Sequence, residues 1–165
     1  MPTKTAIKHA QQDKREGKSP STQAGEFVHE EIKSIRKGKH GARSAKQAIA
    51  IGLSEARRAG VDLKAPEKGT VSERTRKSAE SAYEKGQKKE PISKTRSEVR
   101  IRALKRESTA AASHDALSRQ THTAAQKRTS DERSEAAIKA AQTKGAAGRS
   151  VAAKKGAQTR RRNAG

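Results

Sequence analysis

The chain has 165 residues and carries 39 Lys and Arg against 18 Asp and Glu, a net charge of +21, while Leu, Ile, Val and Phe together number only 18. So few large apolar side chains argue against a conventional core of this length, and the alanines that lift the hydrophobic fraction to 30% favour helix while burying little each. A polycation with no cysteine has no disulfide or thiolate chemistry, and its expected partner is nucleic acid.

The expected fold class is therefore all-α but largely extended or disordered, with a short N-terminal helical hairpin followed by solvated helices and a basic tail. Residues 1–24 are polar, and the Gly17-Lys18-Ser19-Pro20-Ser21 cluster breaks any helix begun near Thr5, so this stretch is expected to be a disordered arm. Half of the large apolar residues then fall between Phe27 and Leu63. Phe27, Val28, Ile32 and Ile35 share one helical stripe, with Lys33, Arg36 and Lys37 left for water, and Gly38 is a natural stop. Ser44 and Gln47 form a capping-box pattern ahead of a second helix, whose apolar face is Ala45, Ala48, Ile49, Gly52, Leu53 and Ala56. Residues 25–64 are thus read as a hairpin, marginal on its own.

Residues 65–92 read as a linker and a charged helix whose apolar contacts are Ala79, Ala82 and Tyr83. Residues 93–130 read as one long polar helix, in which Val99, Leu104 and Leu117 are too sparse to make a seam. Residues 131–165 form a basic, alanine-rich tail. In it Ser134 to Lys144 matches Ser150 to Arg160 at 7 of 11 positions, with too little apolar surface to stack as a solenoid. No stretch has the apolar length of a membrane span, and a cytoplasmic setting, at the bacterial nucleoid, is expected.

Acidic residues end at Glu135, after which come Lys139, Lys144, Arg149, Lys154, Lys155, Arg160, Arg161 and Arg162. Spaced among alanines, these eight suit contact with a phosphate backbone better than base reading. A second candidate is the loop containing Lys39, His40, Gly41 and Arg43, where the start of a helix offers backbone amides to an anion. The flanks lack the strands of a KH module, and two glycines that stop and turn the chain explain the loop more simply. The polar face of the second helix, with Lys46, Ser54, Arg57 and Arg58, is read as solvated, because the helix-turn-helix loop length and supporting helix are missing.

Catalysis finds no footing. His9, His29, His40, His114 and His122 are scattered, and no P-loop, dinucleotide fingerprint or nucleophile elbow is present. No enzyme activity, cofactor or metal is expected. One Phe, one Tyr and no Trp leave no stacking platform for single strands, which favours electrostatic binding to duplex DNA or structured RNA, with DNA the more expected partner.

The stretch Gly25-Glu26-Phe27-Val28-His29-Glu30-Glu31-Ile32, the loop Gly38-Lys39-His40-Gly41-Ala42-Arg43-Ser44 and the helix Lys46-Gln47-Ala48-Ile49-Ala50-Ile51-Gly52-Leu53-Ser54-Glu55-Ala56-Arg57-Arg58 resemble a family of small basic bacterial and phage proteins of unknown function. The resemblance implies a bacterial setting and assigns no functional residue. The tail resembles the alanine-lysine tails of histone-H1-like bacterial proteins. The expected function is non-enzymatic, sequence-nonspecific binding of nucleic acid in the manner of a nucleoid protein, with self-association through the hairpin as a further possibility. The alternative is a protein-interaction or stress-protective factor with a docking hairpin and a hydrated disordered tail.

Overall fold

Short hydroxyl side chains set where the helices begin. Thr3, Ser19, Ser44, Ser72 and Ser93 each accept the backbone N–H three residues on, at 3.1 to 3.4 Å, satisfying one of the donors that a helix start leaves free. They open α1 (Lys4–Arg15), α2 (Pro20–Arg36), α3 (Ala45–Arg58), α4 (Glu73–Gln87) and α5 (Lys94–Leu104). A 3-10 turn at Thr109–Ala112 leads to α6 (His114–Gln126) and α7 (Ser130–Ala164). This computed structural model describes residues 2–164, the side chains of Thr143, Lys144 and Ala164 excepted, and contains no strand among them. The chain divides into two units, one reaching Gln120 and one starting at Thr121.

The all-α class holds, but the expected extended or disordered state does not: the first unit is a packed helical body. The count of large apolar residues underestimated it because alanine supplies most of its buried apolar residues, with Leu53, Leu63 and Leu117 partly buried against them. One cluster joins Phe27 to Ala6, Ala10, Ala24, Ala56 and Val61; a second joins Ile32 and Ile35 to Ala42, Ala48, Ala111 and Ala112. Side chains this small let helix backbones approach closely, so dispersion between backbones replaces the interdigitation of long side chains. Gly52 is the clearest case. A Cβ there would lie 2.6 Å from the Cα of Val28, so α2 and α3 cross at a point where only glycine fits. Gly86 of α4 meets the backbone of Arg57 in the same way.

Three segments depart from expectation for identifiable reasons. The presumed arm forms α1, which packs Ala6 and Ala10 against α2. The cluster from Gly17 to Ser21 does end the first helix, ahead of Gly17 with its φ of 70°, but it also opens the next: Ser19 caps α2 and Pro20 occupies its first turn, where a missing N–H costs no hydrogen bond. The single helix expected over 93–130 is instead three pieces. Ser108 caps the 3-10 turn that buries Ala111 and Ala112, and the Ser113 hydroxyl accepts from the Ala116 N–H at 3.2 Å to start α6. Arg36 holds this turn from a distance, donating through Nε to the Ala112 carbonyl at 2.8 Å.

The hairpin faces are as the periodicity predicts. Phe27, Ile32 and Ile35 are buried on α2, while Ala45, Ala48, Gly52 and Ala56 are buried on α3. Ala79 and Ala82 are likewise buried on α4, and Tyr83 donates its hydroxyl to Asp62 at 2.7 Å. Arg57 differs: it is 6% exposed and not part of a solvated face. Its guanidinium donates to the carbonyls of Leu63 and Lys64 at 3.0 and 3.2 Å, tying the segment after α3 back onto the helix.

Candidate nucleic-acid interface

The start of α7 is a reciprocal capping box. The Glu132 N–H donates to the Thr129 hydroxyl at 3.2 Å, and the Thr129 N–H donates to the Glu132 carboxylate at 2.7 Å. Asp131 and Glu132 lie in the first turn and Arg161 and Arg162 in the last, each sign at the end of the helix dipole that attracts it. At Gly145, with φ 63° and ψ 172°, the helix is interrupted. Arg149 bridges the interruption by donating to the Ala141 carbonyl at 2.6 Å, one of the acceptors that the break frees.

The eight cations expected to act together are therefore divided. Lys139 stands before the break and has an interaction of its own. The side chain of Lys144 lies outside the described residues. Beyond the break, Arg149, Lys154, Lys155, Arg160, Arg161 and Arg162 are all exposed. No carboxylate side chain shares that segment, since the last one in the sequence is Glu135. Such a helix is a concentrated, solvated source of positive potential, with alanine and glycine between the charges.

The loop candidate is built differently. The Gly41 N–H donates to the Leu104 carbonyl at 2.9 Å and the Ala42 N–H to the Ser108 carbonyl at 3.1 Å. A Cβ on Gly41 would strike the Glu107 backbone. The Arg43 N–H donates to the Gln47 side chain at 2.7 Å, and its guanidinium faces Glu107 at 3.7 Å. The Gly41 and Ala42 amides are thus spent on joining the loop to the segment after α5, and the Arg43 amide on α3 itself. Lys39 is exposed beside them.

His40 turns inward. Its Nε2 lies 3.5 Å from Glu31 Oε2, while its Nδ1 is 3.2 Å from the Gly41 carbonyl. Glu31 is 6% exposed, and its Oε1 has no hydrogen-bond partner. Burial pushes the Glu31 carboxyl above the usual carboxylate range, opposed by His40 and reinforced by Glu55. The pair borders a groove of about 570 Å³ between α2, α3, α4 and α5, whose wall includes Ile51, Ile101 and Leu104 and whose rim carries Arg58, Arg96 and Arg100. Among the described residues no group of three or more His, Asp or Glu has a metal-binding arrangement.

The hairpin surface proposed for self-association is largely covered by the chain's own α1, α4 and 3-10 turn. No helix among the described residues is long and apolar enough to cross a membrane. Residues 11–69, which span the end of α1, all of α2 and α3 and the segment after them, match a family of unknown function, DUF6496. No curated protein and no solved structure matches the chain.

Proposed function

We propose that this protein binds duplex nucleic acid without marked sequence preference, through phosphate contacts made by the segment of α7 beyond Gly145, and catalyses no reaction. One observation carries the proposal: six exposed cations, Arg149, Lys154, Lys155, Arg160, Arg161 and Arg162, follow one another on a helix with no carboxylate side chain among them. Long-range attraction to a polyanion is the physical consequence of that arrangement. The packed first unit is then the body to which the basic helix is attached in sequence, and it makes no contact that the binding requires.

Counterion release gives the test. If all six cations meet phosphates, log K for duplex DNA falls against log salt with a slope of roughly −5, at about 0.9 per phosphate. Fluorescence anisotropy of the full chain on a short labelled duplex, repeated from low to moderate salt, measures it. A slope near zero, or a slope unchanged when the six are replaced by glutamine, overturns the proposal. Nuclease treatment during purification supplies an independent check, because nucleic acid that co-purifies through these contacts is lost with it.

A further inference from the structure

The cations beyond Gly145 do not form one face. At 100° per residue, Arg149 and Arg160 fall within about 20° of each other, as do Lys154 with Arg161 and Lys155 with Arg162. The three rows stand roughly 100–140° apart around the helix. Most of the residues between the cations in sequence are small, Ala152, Ala153, Gly156 and Ala157 among them, with Val151, Gln158 and Thr159 the larger ones, and the charge surrounds the helix. The six exposed side chains share no row with a carboxylate, since none follows Glu135.

A helix resting on the outside of a duplex brings one row against phosphate and leaves the others in water. One lying inside the major groove has a phosphate wall on each flank. The B-form groove is about 12 Å wide and admits a helix, whose diameter with side chains is about 10–12 Å. The minor groove, at about 6 Å, is too narrow without distortion. From Ala146 the segment runs 19 residues to Ala164, or about 28 Å at 1.5 Å per residue, the length of several base pairs.

We infer that the segment of α7 beyond Gly145 enters the major groove of B-form DNA, with two of its three cation rows facing the two phosphate walls and the third row facing the base edges or water. This rests on the nucleic-acid reading above and narrows it, because A-form RNA has a deep, narrow major groove that a helix cannot enter. It also explains how two cation rows pointing in different directions can serve one ligand.

The test removes rows, not residues, in the full chain. Three double variants are compared on the same DNA duplex: Arg149→Gln with Arg160→Gln, Lys154→Gln with Arg161→Gln, and Lys155→Gln with Arg162→Gln. Groove insertion predicts that at least two of the three variants each flatten the salt slope by about 1.8, two phosphates at about 0.9 each. Loss confined to a single row overturns it, as does an equal affinity and slope for a duplex RNA of the same length. Either of those results leaves phosphate binding itself standing. A wild-type chain with no salt-dependent affinity for any duplex removes the parent reading as well. Circular dichroism of each variant shows whether helix is retained, so that a lost row is told apart from a lost helix.

Discussion

In the first unit glycine and alanine are contact surfaces, whereas beyond Gly145 they are spacers between charges. Gly52 lies against the Val28 backbone, so that a Cβ would come within 2.6 Å of its Cα, while a Cβ on Gly156 would meet nothing nearer than the Arg160 guanidinium at 3.8 Å. The same two residue types thus support a packed body in one place and a solvated thread in the other. What separates the regions is the presence of apolar anchors, Phe27, Ile32 and Ile35, on which small side chains can close. Alanine alone supplies helix; alanine facing an anchor supplies packing.

The largest expected effect removes an anchor. Phe27 is 1% exposed and centres the cluster formed by α1, α2 and α3. Phe27→Ala should cost about 3–5 kcal/mol, lowering the thermal midpoint of the first unit enough to be read directly by calorimetry. Retention of the wild-type midpoint means that the alanine contacts are sufficient without it. DNA affinity in low salt should persist in this variant, since the proposed contacts lie elsewhere in the chain.

Glycine sharpens the contrast through one substitution made twice. Gly52→Ala should destabilise by about 1–3 kcal/mol, because the Val28 backbone must move to admit the methyl group. Gly156→Ala should instead raise helix content and stabilise its helix by up to about 1 kcal/mol, the ordinary propensity difference. Opposite signs in a paired melting and circular-dichroism measurement uphold the distinction between surface and spacer. Equal signs abolish it.

A smaller effect concerns the longest tie in the first unit. Arg36→Ala removes the bond from Nε to the Ala112 carbonyl and should cost about 1 kcal/mol. Hydrogen exchange should localise the loosening to the turn at Thr109–Ala112. An effect spread evenly over the unit shows that the turn is held by its buried alanines and not by the guanidinium.

Helix periodicity made the faces of α2 and α3 legible, because large and charged residues alternate there at the helical period. It could not show that α1 packs, where Ala6, Ala10 and Asp13 are the buried residues and alanine looks the same on either face; on α4 Ala79 and Ala82 were legible as contacts, whereas the close approach at Gly86 was not. The capping signals were present throughout: Ser19-Pro20 opens α2, and Thr129 to Glu132 forms the box that opens α7. Read as starts, they divide the polar stretches at the positions seen. The cations of the tail were legible as residues, but their arrangement in three rows required the helix to be continuous from Ala146, and the interruption at Gly145 is visible only in the backbone. The loop at Lys39 to Arg43 offered glycines and cations in sequence, whereas its Gly41 and Ala42 amides are claimed by carbonyls more than sixty residues away.

Glu31 yields the smallest prediction, and the one that turns on pH. Its carboxyl is buried, with burial raising its pKa above the ordinary value, His40 opposing that rise and Glu55 adding to it. A carboxyl raised in the folded state holds its proton in a pH window where the unfolded chain has already lost it, so stability falls as pH climbs through that window. Above the raised value the buried charge is a fixed cost. Glu31→Gln keeps the shape and cannot ionise. Its stability relative to the wild type should therefore be near parity at acid pH and should improve as pH rises toward neutrality, by a thermal shift of at most a few degrees. Measuring both midpoints across that range checks the sign. A variant that loses ground with rising pH shows instead that the contact of Glu31 with His40 outweighs the cost of burying its charge.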